Sequence, residues 1–277
     1  MTAAPADFVD PADEALGRGL LERGWVQLAA EGPGALDRIR SAAASLAAAE
    51  LGVAVPGDDE VGPWLDGLAS RCDVAGLNAL RLAVFHGLNR FDWLRPAVFG
   101  LARRALGALV GNELAMQRRV NLSIQMPGDD SSLLPIHADS WSGDSPYEIV
   151  LWIPLVDVRA TKSLFILPRP EHDRLLGGGE VAAAGRVEAL YDRVKDHVRF
   201  LDVDYGEVVL FDQNLPHGNR VNVEETTRWS LNCRFKGLFT PYADKKLGEF
   251  FEPITVRPMS RLGMAHRFPA GFGGDDR

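Results

Sequence analysis

His137 and Asp139 stand two residues apart at the end of an apolar run, in the stretch LLPIHADSW. On an extended chain, residues i and i+2 project from the same face, so the imidazole and the carboxylate would lie side by side. Imidazole nitrogens and carboxylate oxygens are both ligands for metal ions. The pair alone is a weak signal, because the same two residue types at this spacing also occur as surface hydrogen-bond partners.

A second histidine strengthens the metal hypothesis. His217 follows the apolar segment GEVVLFD and opens another short run, HGNRVNV. Two imidazoles and one carboxylate on a rigid β scaffold form the 2-His-1-carboxylate triad, which suits Fe(II) and leaves coordination positions open. The alternative for His217 by itself is a turn histidine that is hydrogen-bonded to the backbone. Taken together, the three residues predict a metal site made of His137, Asp139 and His217.

A predicted strand after His217 carries a possible anion-binding pair. Arg228 and Ser230, in the run TRWSLNCRF, share one face of this strand. A planar guanidinium beside a hydroxyl suits a carboxylate, which arginine binds through two parallel hydrogen bonds and lysine does not bind equivalently. An arginine inside a β barrel needs an anion. The pair therefore predicts a bound carboxylate.

The order and spacing of H-x-D, the distal histidine and R-x-S resemble those of the Fe(II)/2-oxoglutarate-dependent oxygenases, most of all the phytanoyl-CoA dioxygenase-like branch. The segments RGWVQL, VLWIPLVDV, LFILPRPEH and GEVVLF also resemble that branch and occur in the expected order. The likeness covers roughly residues 15 to 240. It implies a metal-dependent oxidoreductase that uses Fe(II), 2-oxoglutarate and O2.

The resemblance also implies roles for single residues. His137, Asp139 and His217 would bind Fe(II), while Arg228 and Ser230 would hold the distal carboxylate of 2-oxoglutarate. Two further cosubstrate contacts and four substrate contacts are expected near these motifs: Gln125 and Trp152 for the cosubstrate, and Ser140, Trp141, Asn121 and Asn219 for the substrate. Two alternatives stay open, a buried amide paired with backbone for the glutamine and plain core packing for the tryptophan.

The implied reaction is oxidation of a C–H bond in a small polar metabolite. The segments SPYEIVLWIPLVDV and ATKSLFILP are similar to a bacterial group of these oxygenases associated with sugar-derived metabolites, and a natural-product intermediate is the other expected substrate. Hydroxylation, desaturation and ring formation all fit the motifs. The alternative is a cupin-like isomerase or lyase, which would not need Arg228 and Ser230 and would usually carry more histidines. A binding protein that had lost turnover would lack a metal ligand.

Composition argues against several kinds of partner. The formal net charge is −8, and no basic cluster is longer than two residues, so neither nucleic acid nor an anionic membrane is an expected partner. No run of about 18 apolar residues occurs, and the first residues do not resemble a signal peptide, which predicts a cytoplasmic protein. Cys72 and Cys233 belong to no C-x-x-C pair and are expected to fill core space.

The predicted elements divide into a helical part and a β part. Helical spacing marks PADEALGRGLLERG, GALDRIRSAAASLAAAELG, GLNALRLAVFHGLN and LRPAVFGLARRALGALVG, and WVQLA reads as a short strand. From about residue 113, short β-like runs separated by turn residues, LLPIHADSW among them, predict about eight strands. The pattern indicates a mainly β fold with a helical wrap. Its core would be a double-stranded β-helix, the jelly roll of cupin type, with the N-terminal helices packed outside.

We expect one domain over residues 1–277. Its parts are helical support at about 1–112, the jelly-roll core at about 113–240 and a C-terminal extension at 241–277. Residues 170–197 interrupt the core with a triple glycine followed by a helical pattern, and they are too long for a hairpin. This insert is either a lid that closes over substrate or a helix packed on the surface of the barrel.

Overall fold

The computed structural model describes residues 8–176 and 187–269. The triple glycine of the predicted lid lies outside these described residues. The helices within them are α1 Pro11–Arg23, α2 Pro33–Leu51, α3 Val61–Asp66, α4 Val74–Leu88, α5 Leu94–Gly100, α6 Arg103–Leu109, α7 Arg169–Leu176, α8 Val187–Val194 and α9 Pro258–Ala265. None of the helices in the described part of the chain is long and apolar enough to cross a membrane.

The strands form two antiparallel sheets. The larger sheet has the order β1-β7-β4-β9-β2-β10, with β3 also paired to β9, and the smaller has the order β6-β5-β8. The strand bounds are β1 Trp25–Ala29, β2 Leu114–Gln117, β3 Asn121–Gln125, β4 Glu148–Pro154, β5 Phe165–Ile166, β6 Arg199–Phe200, β7 Glu207–Asp212, β8 His217–Gly218, β9 Arg228–Gly237 and β10 Phe251–Thr255. This arrangement, with helices outside the sheet, confirms the predicted jelly roll with a helical wrap.

The helix boundaries follow from local chemistry. Asp10 caps α1 by accepting a hydrogen bond from the backbone N–H of Ala12, and Gly24 ends the helix at φ +96°, where a side chain would be strained. The segment LRPAVFGLARRALGALVG, predicted as one helix, forms α5 and α6 instead. The carboxylate of Glu31 accepts hydrogen bonds from the backbone N–H groups of Arg104 and Ala105, which favours a new helix start there.

Strand β9 separates the helical layer from the interior of the barrel. Its residues of one parity, Trp229, Leu231, Cys233 and Phe235, are fully buried members of the main hydrophobic cluster, which also contains residues of α2 and α4. The indole N–H of Trp229 donates to the carbonyl of Leu65 in α3, at 2.9 Å. Because side chains alternate along a strand, the residues of the other parity project to the opposite face.

The segment that carries the H-x-D motif is not the regular strand that its sequence predicts. It makes an isolated bridge between His137 and His217, and a 3-10 helix begins at Asp139 and ends at Ser142. Gly218 explains how closely this segment approaches β8, because a Cβ atom there would lie 2.6 Å from the carbonyl oxygen of Leu134. A short bridge therefore replaces a long ladder at this point.

The described part of the 170–197 insert packs on the smaller sheet. Leu190 and Val194 of α8 belong to a hydrophobic cluster with Ile136 and Phe165. Arg220 forms an ion pair with Glu188 at 2.9 Å. These contacts pack α8 on the barrel surface, and closure of the insert over substrate stays a prediction.

Candidate functional site

A cavity of about 350 Å³ lies between the two sheets. It contains most of the residues that the sequence singled out, namely His137, Asp139, His217, Arg228, Ser230, Trp152, Asn121 and Asn219. A larger cavity of about 540 Å³, between α5, α6, β2 and β10, contains none of them. The smaller cavity is therefore the candidate site.

Backbone pairing brings the two histidines together. His137 and His217 exchange both backbone hydrogen bonds, at 2.9 and 2.8 Å. Residues paired directly across an antiparallel bridge have neighbouring side chains on the same face. Their imidazole centroids accordingly lie 4.4 Å apart. This single bridge therefore places the two imidazole rings next to each other without a longer strand.

Asp139 joins the histidines through the extended backbone of Ala138, which has φ −116° and ψ 135°. Its Oδ1 atom lies 3.4 Å from Nε2 of His137. Within residues 8–176 and 187–269, His137, Asp139 and His217 form the one group of three or more His, Cys, Asp or Glu residues whose ligand atoms all lie within 4.8 Å of one another. The structure therefore contains a candidate His-Asp-His metal site.

Hydrogen bonds fix which imidazole nitrogen is free in each ring. Nδ1 of His137 lies 2.7 Å from the carbonyl of Pro135, and Nδ1 of His217 lies 2.9 Å from the carbonyl of Leu215. A carbonyl oxygen only accepts hydrogen bonds, so both Nδ1 atoms carry the proton. In each neutral ring, Nε2 then keeps its lone pair, which is the form that binds a metal.

The charges of the cluster suit a cation. Burial and the nearby His137 ring lower the pKa of His217 to about 4. Burial raises the pKa of Asp139, but hydrogen bonding to His137 and the charge of Arg234 outweigh it and hold that pKa well below its usual range. Burial lowers the pKa of His137, yet hydrogen bonds to Asp139 and Pro135 leave it raised, so a metal ion at Nε2 would displace the proton that this atom shares with Asp139. At neutral pH, Asp139 is ionised and His217 is neutral, as metal binding requires.

Arg228 also lines this cavity and is only 3% exposed. One of its terminal nitrogens donates to Oγ of Ser123 at 3.0 Å, while its buried Nε has no hydrogen-bond partner. Among the described residues, no carboxylate forms an ion pair with it. Burial and the charge of Arg81 lower the pKa of Arg228 to about 10, so it is cationic at pH 7. A buried cation without an anionic partner is costly.

Ser230 and Trp152, the other predicted cosubstrate contacts on these strands, both line the cavity. Ser230 pairs with Ser123 across the antiparallel ladder between β3 and β9, so two hydroxyls stand side by side next to Arg228. Trp152 of β4 is 5% exposed and forms part of the cavity wall, while also belonging to the main hydrophobic cluster. Its position therefore combines the two alternatives, core packing and contact with the cavity.

Gln125 does not line the cavity. It is fully buried, and its amide donates to the backbone carbonyl of Arg220 at 2.8 Å, so the alternative of a buried glutamine paired with backbone fits the structure. Asn219 lines the cavity, but its side chain holds the neighbouring loop by accepting from the N–H of Leu134 at 2.5 Å and donating to the carbonyl of Ser132 at 3.2 Å.

Ser140 and Trp141 are also absent from the cavity wall. They lie in the 3-10 helix that follows Asp139, and Trp141 is 45% exposed. The tight turn ends the extended backbone, so the alternation that connects His137 to Asp139 does not continue beyond the aspartate. The structure therefore places these two residues outside the cavity wall, and their contact with substrate stays a prediction.

The cavity also contains polar residues that the sequence analysis did not identify, namely Ser123, Asn232 and Arg234. The last two follow Arg228 and Ser230 at successive even positions of β9, so alternation along a strand was a sufficient signal. Asn121 donates to Oδ1 of Asn232 at 2.9 Å and accepts from Gln117 at 3.1 Å. One wall of the cavity is thus a row of amides and guanidinium groups.

No protein-family model and no curated protein sequence matches the chain. Solved structures do match. An apo structure of the non-heme monooxygenase ThoJ has a TM-score of 0.57 at 13% identity, over 87% of this chain and 84% of that one. The non-heme alpha ketoglutarate dependent carbocyclase SnoK from nogalamycin biosynthesis has a TM-score of 0.51 at 18% identity, over 92% of this chain and 100% of that one. An apo structure of EctD from S. alaskensis has a TM-score of 0.51 at 15% identity, over 87% of this chain and 82% of that one. The chain therefore shares its fold with these three proteins.

Proposed function

We propose that this protein is an Fe(II)- and 2-oxoglutarate-dependent dioxygenase that oxidises a C–H bond of a small polar metabolite. The observation that carries the proposal is the combination, in one cavity, of a His-Asp-His cluster with a buried arginine that forms no ion pair with a described carboxylate and whose Nε has no hydrogen-bond partner. A cupin-like isomerase or lyase would use the first feature and leave the second without a purpose. The shared fold of the non-haem enzymes supports the same choice.

The donor set fits Fe(II). His137 and His217 would each bind the metal through Nε2, because the two Nδ1 atoms are held by backbone carbonyls. Asp139 would supply one carboxylate oxygen. Two nitrogens and one oxygen from a rigid scaffold are the ligands of the non-haem Fe(II) triad, which leaves positions for other reactants.

The pocket around Arg228 fits 2-oxoglutarate. The distal carboxylate would accept hydrogen bonds from Arg228, whose Nε has no partner, and from the hydroxyl of Ser230. Ser123 orients the guanidinium through its own hydrogen bond to it. An arginine that binds a carboxylate through two hydrogen bonds would fix the orientation of the whole cosubstrate. The keto-acid end would then be directed toward the metal ligands.

Bound Fe(II), with 2-oxoglutarate and O2, would supply oxidative decarboxylation to succinate and carbon dioxide coupled to removal of a hydrogen atom from the substrate. The chain's own contribution is orientation and exclusion of water. Trp152 and Phe211 provide apolar wall on the side of β4 and β7. Such a wall limits side reactions of the reacting centre with solvent.

The amide row supports a polar substrate. Asn121 and Asn232 line the cavity, and the Nδ2 group of Asn232 makes no hydrogen bond to any described residue. Amides donate and accept, which suits hydroxyl groups of a sugar-derived metabolite or a polar natural-product intermediate. SnoK, by its description, belongs to nogalamycin biosynthesis, which supports the second of these classes.

The experiment that tests the proposed function is a turnover assay. We expect purified protein with Fe(II) and 2-oxoglutarate to release succinate in air and none under nitrogen, and a panel of sugar-derived and natural-product compounds to contain members that accelerate the release. Asp139→Ala should abolish it. Metal-bound protein that leaves 2-oxoglutarate intact in air with every compound would contradict the proposal.

A further inference from the structure

Arg234 is a charged residue of the cavity for which the proposed function gives no role. It lies on β9, at the same parity as Arg228, Ser230 and Asn232, and its side chain is 14% exposed. An arginine this close to a candidate metal site is unexpected at first sight, because a guanidinium repels a metal cation. Its contacts indicate why it is there.

Arg234 binds one particular oxygen of Asp139. Its terminal Nη2 donates to Oδ2 at 2.6 Å, and its Nε lies 3.2 Å from the same atom. The Nε group also donates to Oε1 of Gln213 at 3.1 Å. The other oxygen of the carboxylate, Oδ1, is the one that lies 3.4 Å from Nε2 of His137. The two oxygens of Asp139 therefore have different partners.

Gln213 keeps the guanidinium in this orientation. It is fully buried, and its amide nitrogen donates to the backbone carbonyl of Ser145 and to Glu148, each at 3.1 Å. Its backbone carbonyl accepts from the N–H of Asp139 at 3.0 Å. The same residue thus fixes the backbone of the aspartate and the guanidinium that binds its side chain, which leaves little freedom for the carboxylate to rotate.

We propose that Arg234 is a positioning residue that holds Oδ2 of Asp139, so that the aspartate offers a metal ion only Oδ1. A carboxylate can bind a metal through one oxygen or two, and a second oxygen would take a position that a chelating cosubstrate needs. Charge-assisted hydrogen bonds from a guanidinium are strong enough to favour the one-oxygen mode. The inference rests on the proposed function for the identity of the cosubstrate.

The test uses Co(II) as the metal probe, with anaerobic titrations of parent, Arg234→Met and Arg234→Lys proteins. We expect Arg234→Met to bind 2-oxoglutarate about tenfold more weakly once loaded with Co(II), and to show a changed Co(II) visible spectrum before 2-oxoglutarate is added. The affinity for Co(II) itself should fall by no more than about tenfold, the lower end of the cost of losing an outer-shell partner, because removing the guanidinium also removes its repulsion of the metal ion. Arg234→Lys keeps the charge and one donor group, so its changes should have the same direction and be smaller.

Arg228→Met is the matched control, since it should weaken 2-oxoglutarate binding and leave the Co(II) spectrum of the protein without 2-oxoglutarate unchanged. A parental spectrum and parental 2-oxoglutarate affinity in both Arg234 variants would overturn the inference. If the parent binds Co(II) but no 2-oxoglutarate, the proposed function fails, and the comparison of Co(II) spectra still decides the role of Arg234. Variants with lower thermal stability and unchanged spectra would assign Arg234 a structural role and also overturn it.

Discussion

Replacing Arg228 with methionine is expected to weaken the binding of 2-oxoglutarate to the metal-loaded protein by about 30-fold or more. Methionine keeps most of the apolar stem and removes every donor. Losing one partner of a buried, hydrogen-bonded charge pair costs about 2 to 5 kcal/mol, and each 1.4 kcal/mol or so is a factor of ten in affinity. Because the guanidinium is 3% exposed, solvent offers the carboxylate no substitute.

The measurement is anaerobic calorimetry with Ni(II)-loaded protein. Arg220→Met is the matched control, because Arg220 pairs with Glu188 and does not line the cavity. It should bind 2-oxoglutarate as the parent does. An Arg228→Met protein with the parental affinity would remove the main support for 2-oxoglutarate as cosubstrate.

The second large effect is expected at the metal. His217→Ala should lower the affinity for Fe(II) or Ni(II) by more than about 100-fold, since loss of an outer-shell partner alone commonly costs 10- to 100-fold. His217 is only 9% exposed, and burial lowers its pKa to about 4, so it is available as a neutral donor over a wide pH range. Removing it leaves one imidazole and one carboxylate.

Metal titration followed by ligand-field absorption checks this result. His172→Ala is the control, because His172 lies on α7 against Asp173 and is outside the cavity. Its metal affinity should equal that of the parent. If His217→Ala retains the parental metal affinity and its fold, the His-Asp-His assignment is wrong.

The alternation of side chains between the two faces of a strand explains which residues of the site could be predicted from the sequence. Arg228 and Ser230 share a face of β9, and the same rule extended by two steps would have reached Asn232 and Arg234. The family motif covers only Arg228 and Ser230 of these four residues. The sequence alone is therefore sufficient to predict that β9 has one polar face toward the cavity and one apolar face toward the helices.

Other features of the site and the fold depend on contacts between residues that are distant in sequence. Whether Gln125 faces the cavity depends on the backbone of Arg220, 95 residues away, which takes its amide hydrogen bond. The turn after Asp139, which removes Ser140 and Trp141 from the site, leaves no periodic signal in LLPIHADSW. The division between α5 and α6 depends on capping by Glu31. Local helix and strand propensities carry no information about these distant partners.

An anaerobic absorption spectrum tests whether this protein binds Fe(II) and 2-oxoglutarate together in the cavity. Fe(II) and then 2-oxoglutarate are added to the purified protein, and the visible region is examined for the weak charge-transfer band of an iron-chelated keto acid. We predict a band in the parent protein that is absent from Asp139→Ala and from Arg228→Met at the same cosubstrate concentration. A parent protein that binds Fe(II) and gives no band would contradict the account and favour a cupin-like isomerase or lyase.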